Sequence, residues 1–568
     1  MWPALIVSTL IIYLRGLTGQ FVWDDRTYFL DNDLLPRLSP VDLKDIVLRP
    51  SNYWYEHLPV RDFLFVLQHS LFGDNTVGYH LVSLLLYLGT GFVIYRFLLC
   101  LYAIEAQRSA HKAPGTGTET APTAFGALYA TAFFLLHPLH VECVSYISGQ
   151  KDLLFTLFSF GALALLCAAV KDSTLRRPGK LLGITGLYYL SFLSKGTAVA
   201  TAIALPLVWL LFLRTKNDSL IKAAACWFAV NVPVLLWLIY SARLLLLHQI
   251  GLGNPQWLPL TNQLIRAVKI LGAHTVLAVK PFPLNFGYPF DDSLQFTRDF
   301  WTGLFVLLLF IFCLVAFNGK NRKLALFGGS LFMLYLFPSL KLFIAADNLS
   351  VYDRYLFVPI MGVGIVVERT FSALLVRGRM PKWAVFVSAG LVLVLLCAGT
   401  YVYVPKFQSD LTSTRNSNEL FPDWSESSFN YVYALIEAGA LDEAMDISRR
   451  EKSFDRPPWV RDFFIGWIEL EKGETGPALN LLERSSLLCR WGGYYPYPNV
   501  ALARALLARG EREGAKTALQ PVLESRINQP LLFYQAKKLL QSIDAMRTVF
   551  PCGGDQALRL TDVLNVVG

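Results

Sequence analysis

Eleven apolar runs dominate this chain, at about residues 1–20, 78–103, 124–141, 152–171, 181–194, 196–213, 222–247, 301–317, 323–340, 354–375 and 383–404. A helix of about 20 apolar residues spans the hydrocarbon core of a bilayer, and a spanning segment must satisfy its backbone groups internally. The runs therefore predict an all-α polytopic membrane protein with about 11 transmembrane helices. Composition agrees: 54% of residues are hydrophobic and only 16% are charged, against about 25% charged in soluble domains. The net charge of +9 is not a nucleic-acid signal. Much of it sits in short clusters beside the apolar runs, where lysine and arginine mark cytoplasmic loops.

Those clusters test the count. Arg108/Lys112, Arg176/Arg177/Lys180, Arg214/Lys216/Lys222, Lys320/Arg322/Lys323 and Arg377/Arg379/Lys382 all fall on the cytoplasmic side if the N-terminus is inside and the chain from Pro405 is outside. The segment "NQLIRAVKILGAHTVLAVKPF" (262–282) is apolar enough to suggest a twelfth span. Counting it would put the Lys320 cluster outside, so it reads as a re-entrant or interfacial helix on the outer side. Fourteen uncharged residues precede Arg15, too few to span. The first helix is expected to include Arg15 and run to about Phe21, or else native N-terminal residues are missing. With no cleavable signal peptide visible, it would double as a signal anchor.

This topology divides the chain into a transmembrane domain, 1–404, with a first outer loop of about 22–77, and an extracytoplasmic domain, 405–568. The second part is more polar and repeats itself in "LIEAGALDEAMD", "IELEKGETGPAL" and "LLARGEREGAKTA". Each phrase has glycine five residues before alanine: Gly439/Ala444, Gly473/Ala478 and Gly510/Ala515. Glycine ending one helix and alanine at the close contact of the next, at a period near 34, predicts a tetratricopeptide-like α-solenoid, with a generic helical bundle as the alternative. Most of the eight cysteines, including Cys100, Cys167, Cys226, Cys313 and Cys397, lie in apolar runs and read as small core residues. Cys489 and Cys552 could pair in an oxidising compartment.

The same topology gathers four polar stretches on the outer face. "GQFVWDDRTYFLDND" (19–33) places Asp24 and Asp25 just beyond the first helix. "EHLPVRDFLF" carries His57 and Arg61, and "HPLHVECVSYISGQKD" carries His137, His140, Glu142, Lys151 and Asp152. Lys195 lies in "LSFLSKGTAV", and Asp353, Arg354 and Tyr355 in "VYDRYLFVP". Singly, each has a plain reading as a solvated loop, an interfacial anchor or a snorkelling cation. His137 and His140, with Glu142 close by, have the residue types of a metal site, but Pro138 interrupts any regular helix, and a hydrogen-bonded corner is the stronger expectation. A divalent metal is left open as a cofactor. Together, two aspartates and the cations Arg61, Lys195 and Arg354 suit a reaction in which a base takes a proton while a phosphate leaves. A lipid-phosphate donor would hold its headgroup at this depth.

These stretches resemble the GT-C superfamily of membrane glycosyltransferases, and within it the tetratricopeptide-containing transmembrane O-mannosyltransferases and their bacterial relatives. "FVWDD" followed by Asn32 is similar to the family's first-loop pattern. "PVRDFLFVLQHSLFGDNTVGYHLVSLLLYL" matches at Arg61 and His80, and "HPLHVECVSYISGQKDLLF" is the most specific match. "LSFLSKGTAVATAIALPL" aligns Lys195 and Pro206, and "NLSVYDRYLFVPIMG" aligns Arg354, Tyr355 and Pro359. The likeness covers about residues 20–404. Gly196 stands where the family usually has glutamate, Val60 and Asp62 replace the tyrosine and proline flanking the arginine, and Asp353 replaces a glutamate.

The resemblance implies inverting transfer of a sugar, as in O-mannosylation, from a polyprenyl-phosphate donor to a hydroxyl, with a protein serine or threonine favoured. Asp24 or Asp25 would be the general base, with Asp24 preferred, and Lys195, Arg354 and Arg61 would hold the donor phosphate. Tyr355, His137, His140, Glu142, Lys151, Asp152 and His57 are further candidates for donor or acceptor contact. The implied partners are the lipid-linked donor, membrane lipid and a protein acceptor bound by the repeats, with no nucleic acid. The implied location is a bacterial inner membrane with the site in the periplasm, or alternatively the lumenal side of the endoplasmic reticulum. A lipid or glycan acceptor, or a flippase for lipid-linked sugars, are the competing readings.

Overall fold

A computed structural model describes residues 2–30, 32, 40–48, 50, 56–112, 123–175, 177–215, 219–251, 259–291, 293–316, 323–342, 351–378, 380–455, 457–491, 497–524 and 530–549. Among these residues the regular structure is helical. The membrane part contains α1 (Trp2–Leu14), α2 (Pro40–Leu48), α3 (Pro59–Phe72), α4 (Thr76–Lys112), α5 (Thr123–Leu135), α6 (Val141–Ser145), α7 (Gln150–Lys171), α8 (Pro178–Ser194), α9 (Val199–Val208), α10 (Leu220–Gly251), α11 (Leu260–Val279), α12 (Arg298–Ala316), α13 (Lys323–Leu336), α14 (Pro359–Arg377) and α15 (Lys382–Tyr403). The remainder forms α16 (Asp410–Leu420), α17 (Ser425–Glu437), α18 (Leu441–Arg450), α19 (Trp459–Glu471), α20 (Thr475–Trp491), α21 (Tyr497–Ala508), α22 (Arg512–Glu524) and α23 (Pro530–Val549).

Each of the eleven apolar runs forms helix. Among the described residues, eight helices are long and apolar enough to cross a membrane, and nine if a bent pair is counted as one span. That pair corrects the expectation of an unbroken span over 124–141. Helix α5 stops at Leu135, and the chain resumes at Pro138 with its axis turned by 56°. Proline at 138 cannot continue a helical ladder, and it disfavours helical backbone at His137 before it. The first helix also differs from expectation. It ends at Leu14, before Arg15, whose guanidinium instead lies 4.5 Å over the Tyr401 ring at the end of α15. The 262–282 segment is a single helix, α11, that buries Arg266, Lys269 and His274.

Packing inside the bundle follows membrane rules, in which small residues let helix backbones touch. A Cβ on Gly272 of α11 would sit 1.8 Å from the Asp299 carbonyl oxygen of α12, and one on Gly303 would sit 1.9 Å from that of Val268. The Gly328/Gly362 contact joins α13 to α14 in the same way. Polar side chains bridge the helices: Ser159 of α7 bonds Ser191 of α8 at 2.6 Å and Thr201 of α9 at 2.7 Å, and Thr201 bonds Tyr335 of α13 at 3.0 Å. Pro206 lacks the N–H that would bond the Ala202 carbonyl. The Trp227 indole of α10 supplies a substitute donor at 2.7 Å.

Beyond α15 a second hydrophobic core begins, made by α17–α23. The three repeated glycines have φ of 76°, 88° and 85°, which L-residues rarely adopt. At each, the same cap closes the helix. The N–H of Ala440, Glu474 and Glu511 donates back to the carbonyl of Leu435, Glu469 and Leu506, all at 2.9 Å. The paired alanines, Ala444, Ala478 and Ala515, are fully buried at the return helix. Cys552 lies outside the described residues, so its expected pairing with Cys489 does not enter the structure.

Candidate active site

The bend after α5 creates the site. Residues 137–149 form short turns and α6 before α7 begins, and every residue from Thr131 to Gln150 is buried. Gly149 permits the tight return, because a Cβ there would lie 2.7 Å from the Cys143 carbonyl oxygen. Gln150 pins the segment from below, exchanging hydrogen bonds with Gln68 of α3 at 2.7 and 3.0 Å and donating to the Tyr79 carbonyl of α4 at 3.0 Å. This stretch is a buried hub rather than an outer loop between spans.

The two aspartates have different surroundings. Asp25 is fully buried and its carboxylate accepts from the Val22 N–H at 3.2 Å, the Ile147 N–H at 3.3 Å, the Ser148 N–H at 2.7 Å and the Ser148 hydroxyl at 2.5 Å. Burial raises its pKa to about 7 in spite of these donors. Asp24 is partly exposed. Its backbone N–H donates to the Tyr146 hydroxyl at 3.2 Å, and no hydrogen bond or ion pair is found at its carboxylate among the described residues. Asp24, Asp25 and Arg354 are all near enough to the Tyr146 hydroxyl for their charges to act on it.

The cations approach the hub from three other elements. Arg354, in the turn before α14, bonds Glu142 through its backbone N–H at 2.8 Å and its guanidinium at 3.0 Å, and lies 4.1 Å over the Tyr352 ring. Lys195, in the break between α8 and α9, pairs with Asp152 in the first turn of α7 at 2.5 Å. Both keep part of their side chains exposed, 25% for Arg354 and 14% for Lys195. Each therefore has a fixed carboxylate partner and an accessible side.

Arg61 is arranged differently. Its side chain is fully buried, paired with Asp62 at 2.7 Å and Glu56 at 2.5 Å and lying over the Tyr28 ring. Glu56 also takes Lys151 at 3.4 Å and the Tyr28 hydroxyl at 2.9 Å. This cluster ties the first loop to the hub but gives Arg61 no open face toward a ligand. His137 and His140 are fully buried; the Leu139 N–H donates to His137 Nδ1 at 3.3 Å, and Tyr87 bonds His140 Nδ1 at 3.0 Å. Each ring is bonded at Nδ1 only, and among the described residues no three His, Cys, Asp or Glu side chains gather as a metal site. His57 stacks on Trp237 with ring centres 4.5 Å apart. Tyr355 stands edge-on to Tyr352 at 5.4 Å.

Several site residues escaped the sequence reading. Ser148 and Tyr146 lie inside a quoted motif, and Glu56 immediately precedes His57, so their proximity carried a signal. Asp410 and Ser413 did not. They bond Trp23 from beyond the last span, at 2.8 and 3.0 Å.

No family model matches the chain, and no solved structure matches it. Similar proteins carry one consistent name. The chain is 25% identical over 453 residues to a protein O-mannosyl-transferase of Caenorhabditis elegans, covering 78% of this chain and 60% of that relative. It is 28% identical over 181 residues to the protein O-mannosyl-transferase TMTC4 of Mus musculus, covering 30% and 24%. It is 30% identical over 193 residues to the protein O-mannosyl-transferase Tmtc3 of Drosophila melanogaster, covering 32% and 20%. The matched region thus spans less than two thirds of each relative. The kinship read from the motifs is borne out by these names, and the many apolar helices agree with an integral membrane protein.

Proposed function

From this kinship with protein O-mannosyl-transferases, we propose that the chain is a GT-C-type glycosyltransferase. It moves a sugar, with inversion, from a polyprenyl-phosphate donor to a serine or threonine hydroxyl of a protein. The chemistry takes place on the extracytoplasmic face, periplasmic in a bacterial inner membrane or lumenal in the endoplasmic reticulum. Asp24 is the general base, because its carboxylate is partly exposed and uncommitted while that of Asp25 is consumed by four donors. This contrast is the observation that carries the assignment. A base must have a free lone pair within reach of the proton it takes, and an anchored neighbour keeps its backbone in place.

Lys195 and Arg354 receive the donor phosphate on their exposed sides. Asp152 and Glu142 hold each cation in position, so little side-chain freedom is lost when the phosphate arrives. Charge building on the departing phosphate is then met by donors already aimed at it. Arg61 acts at one remove, by fixing the Glu56 carboxylate that holds Lys151. The helix pairs of 405–568 are a tetratricopeptide-like surface for the protein acceptor.

The test is transfer by purified protein from labelled polyprenyl-phosphate mannose to a Ser/Thr-rich peptide, with release of lipid phosphate as a second readout. Asp24→Asn should insert normally and lose activity by about 10²-fold or more. Asp25→Asn should also lose transfer, through a disordered loop. Full activity in both variants removes the assignment, and no release of lipid phosphate by the wild type removes the enzyme reading.

A further inference from the structure

Trp23 directly precedes Asp24 and has φ of 52°, a conformation that a bulky aromatic residue does not hold without support. The support comes from α16, nearly 400 residues later. The Trp23 N–H donates to the Asp410 carboxylate at 2.8 Å, its indole N–H donates to the Ser413 hydroxyl at 3.0 Å, and its ring lies 4.2 Å from that of Phe286. A reciprocal cap between Ser409 and Thr412 orders the first turn of α16, so the Asp410 acceptor is itself fixed. The same face of the loop is joined at both ends. The Gln20 N–H donates to the Gln408 carbonyl at 2.8 Å, and Arg26 pairs with Glu437 of α17 at 3.1 Å. The hub holds the next two residues: the Asp24 N–H donates to the Tyr146 hydroxyl, and the Ser148 N–H donates to the Asp25 carboxylate.

We propose that α16 is a brace that holds Trp23 in its left-handed conformation and thereby aims the Asp24 carboxylate, with Asp410 as the positioning residue. The inference rests on Asp24 being the base. Asp410 touches neither donor nor acceptor in this scheme. Its role is to supply a charge-assisted bond to one peptide N–H, at the residue whose backbone sets the direction of the next. Without that bond Trp23 relaxes toward negative φ, and the chain beyond it rotates Asp24 away from the hub.

Two measurements on the full-length protein test the brace. Hydrogen exchange over residues 20–26 should accelerate in Asp410→Ala and stay near wild type in Asp410→Asn, which retains the accepting oxygen. In the transfer assay, Asp410→Ala should lower kcat by on the order of 10- to 100-fold with donor KM unchanged, and Asp410→Asn should recover most of it. Unchanged exchange in Asp410→Ala overturns the brace. Accelerated exchange with unchanged kcat, or a loss confined to KM, overturns the positioning role. If Asp410→Ala does not fold, Ser413→Ala is read by the same pair of measurements, with a several-fold loss of kcat expected and wild-type values in both counting against the proposal. Absence of transfer by the wild type would sink the functional reading, and exchange would still decide the brace.

Discussion

Adjacent aspartates of identical chemistry become different groups once the chain folds. Asp25 enters a cradle of backbone and serine donors, while Asp24 gives only its backbone N–H to Tyr146 and keeps a partly exposed side chain. Burial raises the Asp25 pKa from 3.8 to about 7, so the folded chain binds that proton more tightly than the unfolded one. The stability gained is present in full below about pH 4 and is lost as pH rises through about 7, on the order of a few kcal/mol. The Asp25 contribution to the apparent melting temperature in detergent, read as wild type minus Asp25→Asn, should therefore fall between pH 4 and pH 8. Thermal scans of both proteins across the range measure that difference, and a difference that does not change with pH counts against it. The pair itself was visible in "FVWDD". Which member stays free was not, because that depends on Ile147 and Ser148, more than 120 residues away.

At the scale of the element, the segment from Leu136 to Gly149 shows how local chemistry and tertiary contact share the work. Pro138 makes a break readable in advance, but nothing local says that the broken end folds inward and is buried throughout. Gly149→Ala brings a Cβ within 2.8 Å of the Cys143 backbone, and backbone cannot yield as a flexible side chain does. We expect a loss of about 1–3 kcal/mol together with a fall in transfer, measured by thermal unfolding and the peptide assay. An effect on stability alone is expected at α9. Trp227→Phe leaves the Ala202 carbonyl beside Pro206 without its donor, and should cost about 1–3 kcal/mol while leaving donor KM unchanged. In the repeats, by contrast, the sequence was a sufficient guide. Glycine then alanine five residues later became a left-handed cap and a buried contact three times over.

Across the whole molecule, the polar groups of the first loop are held between two bodies of different origin. The hub at 137–152 takes Asp25, Glu56 and Arg354, and α16 takes Trp23. Asn416 and Ser417 extend that seam to Leu284 and Asn285. Two truncations should therefore behave differently. A chain ending after Asp423 keeps α16 and should still release polyprenyl phosphate from the donor, with water or a short hydroxyl peptide taking the sugar, while losing transfer to a folded protein acceptor. A chain ending after Val404 loses the brace as well, and both activities should fall, the first by at least 10-fold. Equal behaviour of the two truncations, compared in one lipid-phosphate release assay, would contradict this division.

What the sequence determined by itself is what short-range physics controls: apolar runs become helices because a bilayer leaves the backbone no other partner, prolines break them, and glycines close the repeats. It also carried the motifs whose residues the fold brings together, since "FVWDD" and "HPLHVECVSYISGQKD" supply both sides of the Asp25 cradle. Only the tertiary structure decided which partners those groups take. Arg61 was expected at the donor and is instead enclosed by Glu56 and Asp62, while Lys195 and Arg354 keep an exposed side. Trp23 depends on Asp410, a partner that no local pattern announces. The reason is physical: desolvation and hydrogen bonding act through space, and here three of the four donors that separate Asp25 from Asp24 come from residues more than a hundred positions away.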